Sequence, residues 1–590
     1  MCSHWRLREC HFPLLTGLFL CAIEAPMRAD APPSRELNDL FRDAWEFQLR
    51  EFPVFATYAG DHRYDDRLES MALADIERRN AVERGFLDRL QHIDGKALAG
   101  QDRISHDVFE RTLRDSIAEF EHHAFLIPIT NREGFHINFA RLPDELTFAS
   151  VQDYKSYIAR LRAFRGYMAA HLALLRQGMR EGRVLPKIVL TGIEDSISAH
   201  VVEDPTKSLF FKPFTAFPGA IDEASRRQLT EEGRDAIAVS VTPGFRDFLE
   251  LMTKEYVPAC RASLGASDLP GGRAFYEHRV RLFTTLDVSP EEVHAIGKRE
   301  VERIRREMEA LIARIGFKGT FAEFLDFLRT DPRFYADTPE KLLREAAYIS
   351  KRMDGELPRL FKRLPRMPYG LRAVPDFIAP KTTSAYYNQP AGDGSRAGLY
   401  YLNTYNLKAR PLYALEALSF HEAVPGHHLQ IALQQEIEGL PQFRRFNEVT
   451  AFVEGWALYS ERLGLEVGFY ADPYSDFGRL TYEMWRACRL VVDTGLHALG
   501  WAREQSIEYL ASNTALSKHE CTTEVDRYIA WPGQALAYKM GEIKIRELRQ
   551  RAEKALGAKF DVREFHDIVL RNGAIPLGTL EKEVEAWLRQ

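Results

Sequence analysis

Helix-start signals recur along this chain so densely that little room is left for another architecture. The stretch "SPEEVHAIGKREVERIRREMEALIARIG" opens with Ser289 as N-cap, Pro290 at the first helical position and Glu292 three residues after the cap. It then carries Val293, Ile296, Ile304 and Leu311 on one stripe. "TPEKLLREAAYISKRM" repeats the design from Thr338, and amphipathic runs cover Leu37 to Thr57, Leu73 to Gln91, Val151 to Arg180 and Ala236 to Tyr256. Strand-like text is scarce. Its best instance is "GLYYLNT", Gly398 to Thr404, where β-favouring aromatics follow the turn-rich "NQPAGDGSRAG". The expected fold class is mainly α with one small β-sheet.

The 590 residues are 45% apolar and 11% aromatic, enough for a large packed core. Length alone would suggest about three to four domains. No Ser/Gly-rich linker, low-complexity tract or internal repeat divides the chain, so residues 33–590 read as one helical domain, in one body or in two lobes around a cleft. Net charge is -6 from 79 basic and 85 acidic residues, and runs such as "REVERIRREMEALIAR" alternate in sign, which argues against a nucleic-acid partner. Residues 1–32 resemble a secretory signal: Arg6 and Arg8, an apolar run from Phe12 to Ile23, then small residues near Ala29 and Ala31. Glu9, Glu24 and Pro32 fit that pattern poorly, and the alternative is a plain N-terminal extension. A secreted or periplasmic location is the expectation, a cytoplasmic one the alternative. The apolar run is too short to span a bilayer and nothing later reaches about 18 consecutive apolar residues, so no stable membrane insertion is expected. Of six cysteines, Cys2, Cys10 and Cys21 lie in the leader and Cys260, Cys488 and Cys521 in the body. That is no disulfide framework, although it leaves room for one bridge whose partners the sequence does not choose.

Chemistry concentrates in "SFHEAVPGHHLQ", Ser419 to Gln430. In the motif HExxH, two histidines four apart on a helix bind zinc and the glutamate between them is a general base. Here the fourth position after His421 is Pro425. On a straight helix His427, six residues on, falls on another face, while His428 returns to the right face about 10.5 Å along the axis. Pro425 breaks the helix, since it lacks an amide hydrogen and its ring pushes away the carbonyl four residues back, and Gly426 permits a bend that other residues resist. Pro-Gly thereby bulges two extra residues out and brings a later histidine beside His421. The bland alternative is a helix that ends at Val424 with histidines at a turn. Ala414, Ala417 and Leu418 in "PLYALEALSFHEA" weigh against it, because they make the helix approaching His421 and Glu422 a buried one. A third ligand is expected in "NEVTAFVEGWALYSERLG", where Glu454 sits within an apolar helical run. A buried carboxylate normally binds a cation or takes up a proton. Glu461, two turns on, is a candidate to orient a zinc-bound histidine, with a surface pair to Arg462 or another cation as the alternative.

Together with "RLVVDTGLHALGW" (Arg489 to Trp501), "YIAWPGQALAYKMG" (Tyr528 to Gly541) and "FHDIVLRNGAIPLGTLEKEV" (Phe565 to Val584), these blocks make the chain resemble the domain of unknown function 885 family from about Glu36 to the C-terminus. More distantly it resembles the mostly helical zinc peptidases of the thimet oligopeptidase and neurolysin type, which carry HExxH and then a glutamate in a phrase reading FVE, as at Phe452 to Glu454. The resemblance implies a gluzincin-like, neurolysin-like fold with its sheet beside the active-site helix. It implies one zinc ion on His421, His427 and Glu454, His427 being favoured over His428 because its Gly-His pair aligns. It further implies peptide hydrolysis.

On that reading Glu422 takes a proton from the zinc-activated water and delivers it to the leaving amine. The resemblance points to Tyr538 as an oxyanion donor, followed by Tyr528 and His497. "GLYYLNT" is the expected substrate-aligning edge strand, with Asn403 and Arg396 as candidate substrate contacts. Arg489 and Asp493 are expected near the site, as an ion pair tying two helices. The function expected is a zinc metallopeptidase acting on short peptides. Two alternatives stand beside it: a metal-free helical peptide-binding protein on a peptidase scaffold, and a zinc hydrolase of a non-peptide amide or ester. Oligomeric state is left open.

Overall fold

The computed structural model describes residues 32–130, 133–376 and 378–590; the leader reading falls on residues outside these. Helices dominate and the expected caps form. Ser289 and Thr320 each close a reciprocal capping box, and the Thr338 hydroxyl accepts from the Lys341 amide. Helices run Leu73–Gln91 and Val151–Arg180, as the periodicity predicts. Two expected runs are divided. Leu37 to Thr57 is split into Pro32–Glu51 and Pro53–Tyr58, since Pro53 has no amide hydrogen to continue the first helix. Ala236 to Tyr256 contains π-turns at Ile237–Val241 and Met252–Tyr256, each just ahead of a proline, Pro243 or Pro258.

The sheet has three strands: β1 (Tyr369–Ala373), β2 (Ala385–Asn388) and β3 (Gly398–Leu402), in the order β1-β3-β2. β3 pairs parallel with β1 and antiparallel with β2, with Tyr387 opposite Tyr400. The sequence shows only β3, which is buried throughout. β1 and β2 are five and four residues long, half-exposed in pattern and broken by Gly370, so they lack the apolar density that reveals β3. The expected edge strand is therefore central. Both sides of its backbone are paired, and β1 and β2 are the two edges.

The helix Pro473–Ala498 is buried from Phe477 to His497, so it serves as an axle on which the C-terminal half is assembled. Pro290–Ile315 packs along it. Thr450–Leu463 and Ala537–Leu556 meet at Gly455 and Gly541. A Cβ on Gly541 would lie 1.9 Å from the Ala451 carbonyl oxygen, so only glycine lets these backbones touch. That contact sets the depth of Glu454 against Tyr538. Cys260, Cys488 and Cys521 are all free thiols.

In the N-terminal half, buried histidines sit among phenylalanines. His171 stacks on Phe135 at 4.0 Å, and His136 lies 5.0 Å from Phe248. Neither His171 ring nitrogen, nor His136 Nδ1, has a hydrogen-bond partner. Burial pushes both groups down to about 3, so they remain neutral in the folded chain. Because the unfolded chain takes up protons near pH 6.5 and the folded chain does not, stability is full above pH 6.5 and falls as pH drops from 6.5 toward 3. The variant His171→Phe should flatten this acid limb. The fall in melting temperature between pH 7 and pH 5 becomes smaller than in the wild type, and an unchanged slope would show that His171 is not a buried neutral base.

Candidate metal centre

The helix Leu415–Glu422 is buried at every position except Glu416, whose carboxylate accepts from the Tyr470 amide and the Ser475 hydroxyl. It stops at Glu422. Ala423 departs from helical geometry (φ -97°, ψ -109°), Val424–Pro425 is a cis peptide, and a second helix, His427–Glu436, starts after Gly426. The bulge is clamped from outside: the Pro425 carbonyl accepts from Trp456 Nε1 at 2.9 Å and from the Ser460 hydroxyl at 3.3 Å. Gly426 is needed here for a different reason from the bend freedom read in the sequence. Its φ is -77°, but a Cβ there would lie 2.0 Å from the His421 carbonyl oxygen and 2.3 Å from that of Phe420.

The kink brings the two imidazoles edge to face, ring centres 4.7 Å apart. Glu454 reaches both from the facing helix Thr450–Leu463: its Oε2 lies 3.4 Å from His421 Nε2 and 3.5 Å from His427 Nε2. Those separations are long for hydrogen bonds. They match the roughly 3.3 Å between ligand atoms that each sit about 2.0–2.1 Å from a tetrahedral zinc. Glu454 Oε2 is buried and has no hydrogen-bond partner. Among the described residues His421, His427 and Glu454 form the one group of three whose ligand atoms converge in this way. The donor set fits a zinc ion.

Electrostatics agree with a cation at this point. Burial alone would depress His421, but Glu454 and Glu461 outweigh it and lift it to about 9. Against its own burial, Glu454 is held well below the usual carboxylate range by His427 and His421. The pocket therefore calls for positive charge between these three side chains, which a proton or a metal ion supplies. Glu461 Oε1 accepts from His421 Nδ1 at 2.9 Å and is itself gripped by Arg486 Nη2 at 3.1 Å. Since a carboxylate only accepts, Nδ1 carries a hydrogen toward Glu461, and Nε2 is the nitrogen that takes the proton or the metal ion facing Glu454. Glu461 is thus not paired with Arg462 on the surface. Removing it by Glu461→Ala should weaken zinc binding about 10- to 100-fold, measured by competition with a chromogenic chelator; unchanged affinity would show that His421 needs no orienting partner.

Glu422 follows His421 into the same cleft, buried except for a small exposed edge, and burial raises its carboxyl above the ordinary value. His428 turns the other way. Its Nδ1 accepts from the Tyr387 hydroxyl and its Nε2 donates to the Met367 carbonyl, which ties β2 to the second histidine helix. Tyr538 faces the site with its ring parallel to that of His421 at 6.2 Å, and its hydroxyl accepts from Arg527 Nη2 at 3.1 Å.

The remaining candidates are elsewhere. His497 is fully buried behind the cleft wall, its Nδ1 accepting from the Ala266 amide and its Nε2 donating to the Tyr528 carbonyl, so it has no free nitrogen for substrate. The Tyr528 hydroxyl is occupied by Trp485 Nε1 and Arg489 Nε. Asn403 spends its amide on the carbonyls of Ala379, Thr382 and Thr383, securing the loop before β2 rather than a substrate. Arg396 lines a separate depression with Tyr58, Glu145 and Arg160. The expected Arg489–Asp493 pair does not form. Arg489 pairs with Glu524 at 3.0 Å, while Asp493 accepts from the Tyr276 hydroxyl at 2.6 Å and the Gly533 amide, and burial raises it to about 7.

The cleft encloses about 540 Å³, with the metal cluster on one wall and the run Thr382–Gln389, including all of β2, on the other. Sequence reading missed β2, Trp485, Arg486, Arg527 and Glu448 as cleft residues. The only signal for the arginines is the i, i+3 spacing of Arg486 and Arg489 on one apolar helix.

A mainly helical chain with a two-histidine, one-glutamate cluster beneath an open sheet edge defines the class of protein. The chain belongs to the family described as bacterial protein of unknown function (DUF885), whose pattern it matches over residues 53–584. Its structure is similar to the crystal structure of a candidate lipoprotein from Colwellia psychrerythraea, with a TM-score of 0.88 and 28% identity over 94% of this chain and 99% of that one. It also shares its fold with a candidate lipoprotein of unknown function from Shewanella oneidensis, with a TM-score of 0.64 and 18% identity over 94% and 99% of the two chains. No curated protein matches it at a significant level.

Proposed function

We propose that this protein is a zinc-dependent hydrolase, a metallopeptidase of gluzincin type that cleaves short peptides. The observation that carries the reading is Glu454 Oε2, buried without a hydrogen bond and held at ligand spacing from two histidine Nε2 atoms. His421, His427 and Glu454 would hold one zinc ion, which when bound polarises the scissile carbonyl and acidifies water.

The chain's own residues supply the rest. Glu422, raised by burial above its ordinary value, removes a proton from the attacking water and returns it to the departing amine. Tyr538 is the oxyanion donor: its hydroxyl already accepts from Arg527, which leaves its hydrogen to give. β2 has one side paired to β3 and the other facing the cleft, so its main chain is placed to align an extended peptide. The fold likeness to thimet oligopeptidase and neurolysin belongs to this reading, as does export: the signal-like leader agrees with the description of the Colwellia neighbour as a candidate lipoprotein. The test is hydrolysis of a fluorogenic peptide library by purified protein. Cleavage that a chelator abolishes and stoichiometric zinc restores supports the reading; chelator-insensitive cleavage, or none with zinc bound, refutes it.

A further inference from the structure

Three arginines line the cleft beside the metal cluster: Arg486 and Arg489 from Pro473–Ala498, and Arg527 from Lys518–Ala530. They share two carboxylate partners. Arg486 holds Glu461, which is already committed to His421, while Arg489 and Arg527 both turn to Glu524, at 3.0 and 3.4 Å. Asp493 accepts from the Tyr276 hydroxyl and the Gly533 amide, and Arg527 Nη2 donates to Gln534 Oε1 at 2.5 Å and to the Tyr538 hydroxyl at 3.1 Å. In this wall Arg486 and Arg489 are only 3% and 2% exposed. Arg486 Nε and Arg489 Nη1 are buried without hydrogen-bond partners. A buried N–H donor left without a partner is costly, and an anion that accepts from it is favoured accordingly.

The place of these guanidinium groups is defined by rings. The Tyr538 ring lies parallel to His421, and beyond it the Arg489 guanidinium sits 4.1 Å from the Tyr538 centroid and 4.4 Å from that of Trp485. Arg527 lies 5.9 Å from both the Tyr538 and Trp531 rings. The cleft also contains Glu422, Glu448 and Glu454.

We propose that Arg527, backed by Arg489, forms a carboxylate subsite that receives the anionic end of a short peptide one ring beyond Tyr538. This rests on the hydrolase reading for the fate of the peptide, though not for its binding. A chain advances about 3.3–3.6 Å per residue, so with 6.2 Å from His421 to Tyr538 and 5.9 Å from Tyr538 to Arg527 the carboxylate lies within about three residues of the bond beside the metal. Its source is the terminal carboxylate of the peptide or an acidic side chain near it.

The experiment uses one peptide sequence in four forms, ending in Gln or Glu, each as free acid and as amide. Cleavage by the zinc-loaded protein and binding to Glu422→Gln are both measured. The acid of the Gln peptide should be favoured over its amide by about 10- to 100-fold, the worth of one charge-assisted contact. That ratio should fall to near one in Arg527→Gln and persist in Arg527→Lys. If the Glu amide recovers the affinity lost by the Gln amide, the subsite stands and takes a side-chain carboxylate. Equal binding of all four forms to a folded protein overturns it. Acid-selective binding without cleavage by the wild type leaves the subsite standing and removes the hydrolase reading; cleavage without selectivity does the reverse.

Discussion

Glu422→Gln should lower kcat for peptide cleavage by about 10²- to 10⁴-fold while one zinc per chain is retained. The two side chains have the same shape, and Glu422 is not among the three residues that converge on the ion. Nor does the fold depend on its charge: the carboxylate is nearly buried, and burial already raises it, so a neutral amide is accommodated without loss of stability. What the variant removes is a proton acceptor beside the ion. A loss of activity with zinc content and melting temperature unchanged therefore isolates the general base. Activity within a factor of a few of the wild type would place that base elsewhere.

Gly426→Ala should cost about 3 kcal/mol of stability and most of the zinc affinity. An alanine Cβ would meet the carbonyl oxygens of His421 and Phe420 at 2.0 and 2.3 Å, and these are backbone atoms of the very helix that carries the first ligand. Relief requires the His427–Glu436 helix to move off. That movement is resisted by Trp456 and Ser460 at the Pro425 carbonyl, and by the bonds of His428 to Tyr387 and Met367. Whichever contact yields, His427 leaves its position opposite Glu454. The control is Gly166→Ala, within the helix Val151–Arg180, where a Cβ meets nothing and the exchange is neutral or slightly stabilising. Thermal unfolding with and without zinc reads both variants. A Gly426→Ala protein with wild-type stability and zinc content would mean that the bulge does not position His427.

The helical layout was legible because caps and periodicity are local: Ser289, Pro290 and Glu292 announce a helix without reference to anything distant. The same locality explains the failures. β2 is four residues whose role comes from pairing with β3 and facing the cleft, and nothing within "AYYN" says so. The cluster was legible at His421, Glu422 and Glu454 because a carboxylate in an apolar helical run demands a partner. His497, Tyr528, Asp493 and Asn403 are equally polar and equally buried, yet their partners are backbone groups or side chains supplied by remote segments, such as Ala266, Tyr276 and Ala379. Sequence spacing does not distinguish a buried polar residue satisfied by the fold from one held ready for a ligand. Arg486 shows the converse: its grip on Glu461 crosses between two helices and has no trace in either stretch alone.

The most direct test of the account is the metal itself. Elemental analysis of the purified protein, with X-ray absorption at the zinc edge, should give one zinc per chain bound by two imidazole nitrogens and a carboxylate oxygen, and the ion should be lost in both His421→Ala and Glu454→Ala. A folded protein that takes up no zinc at saturating concentration, or one whose bound zinc survives those two substitutions, would contradict it.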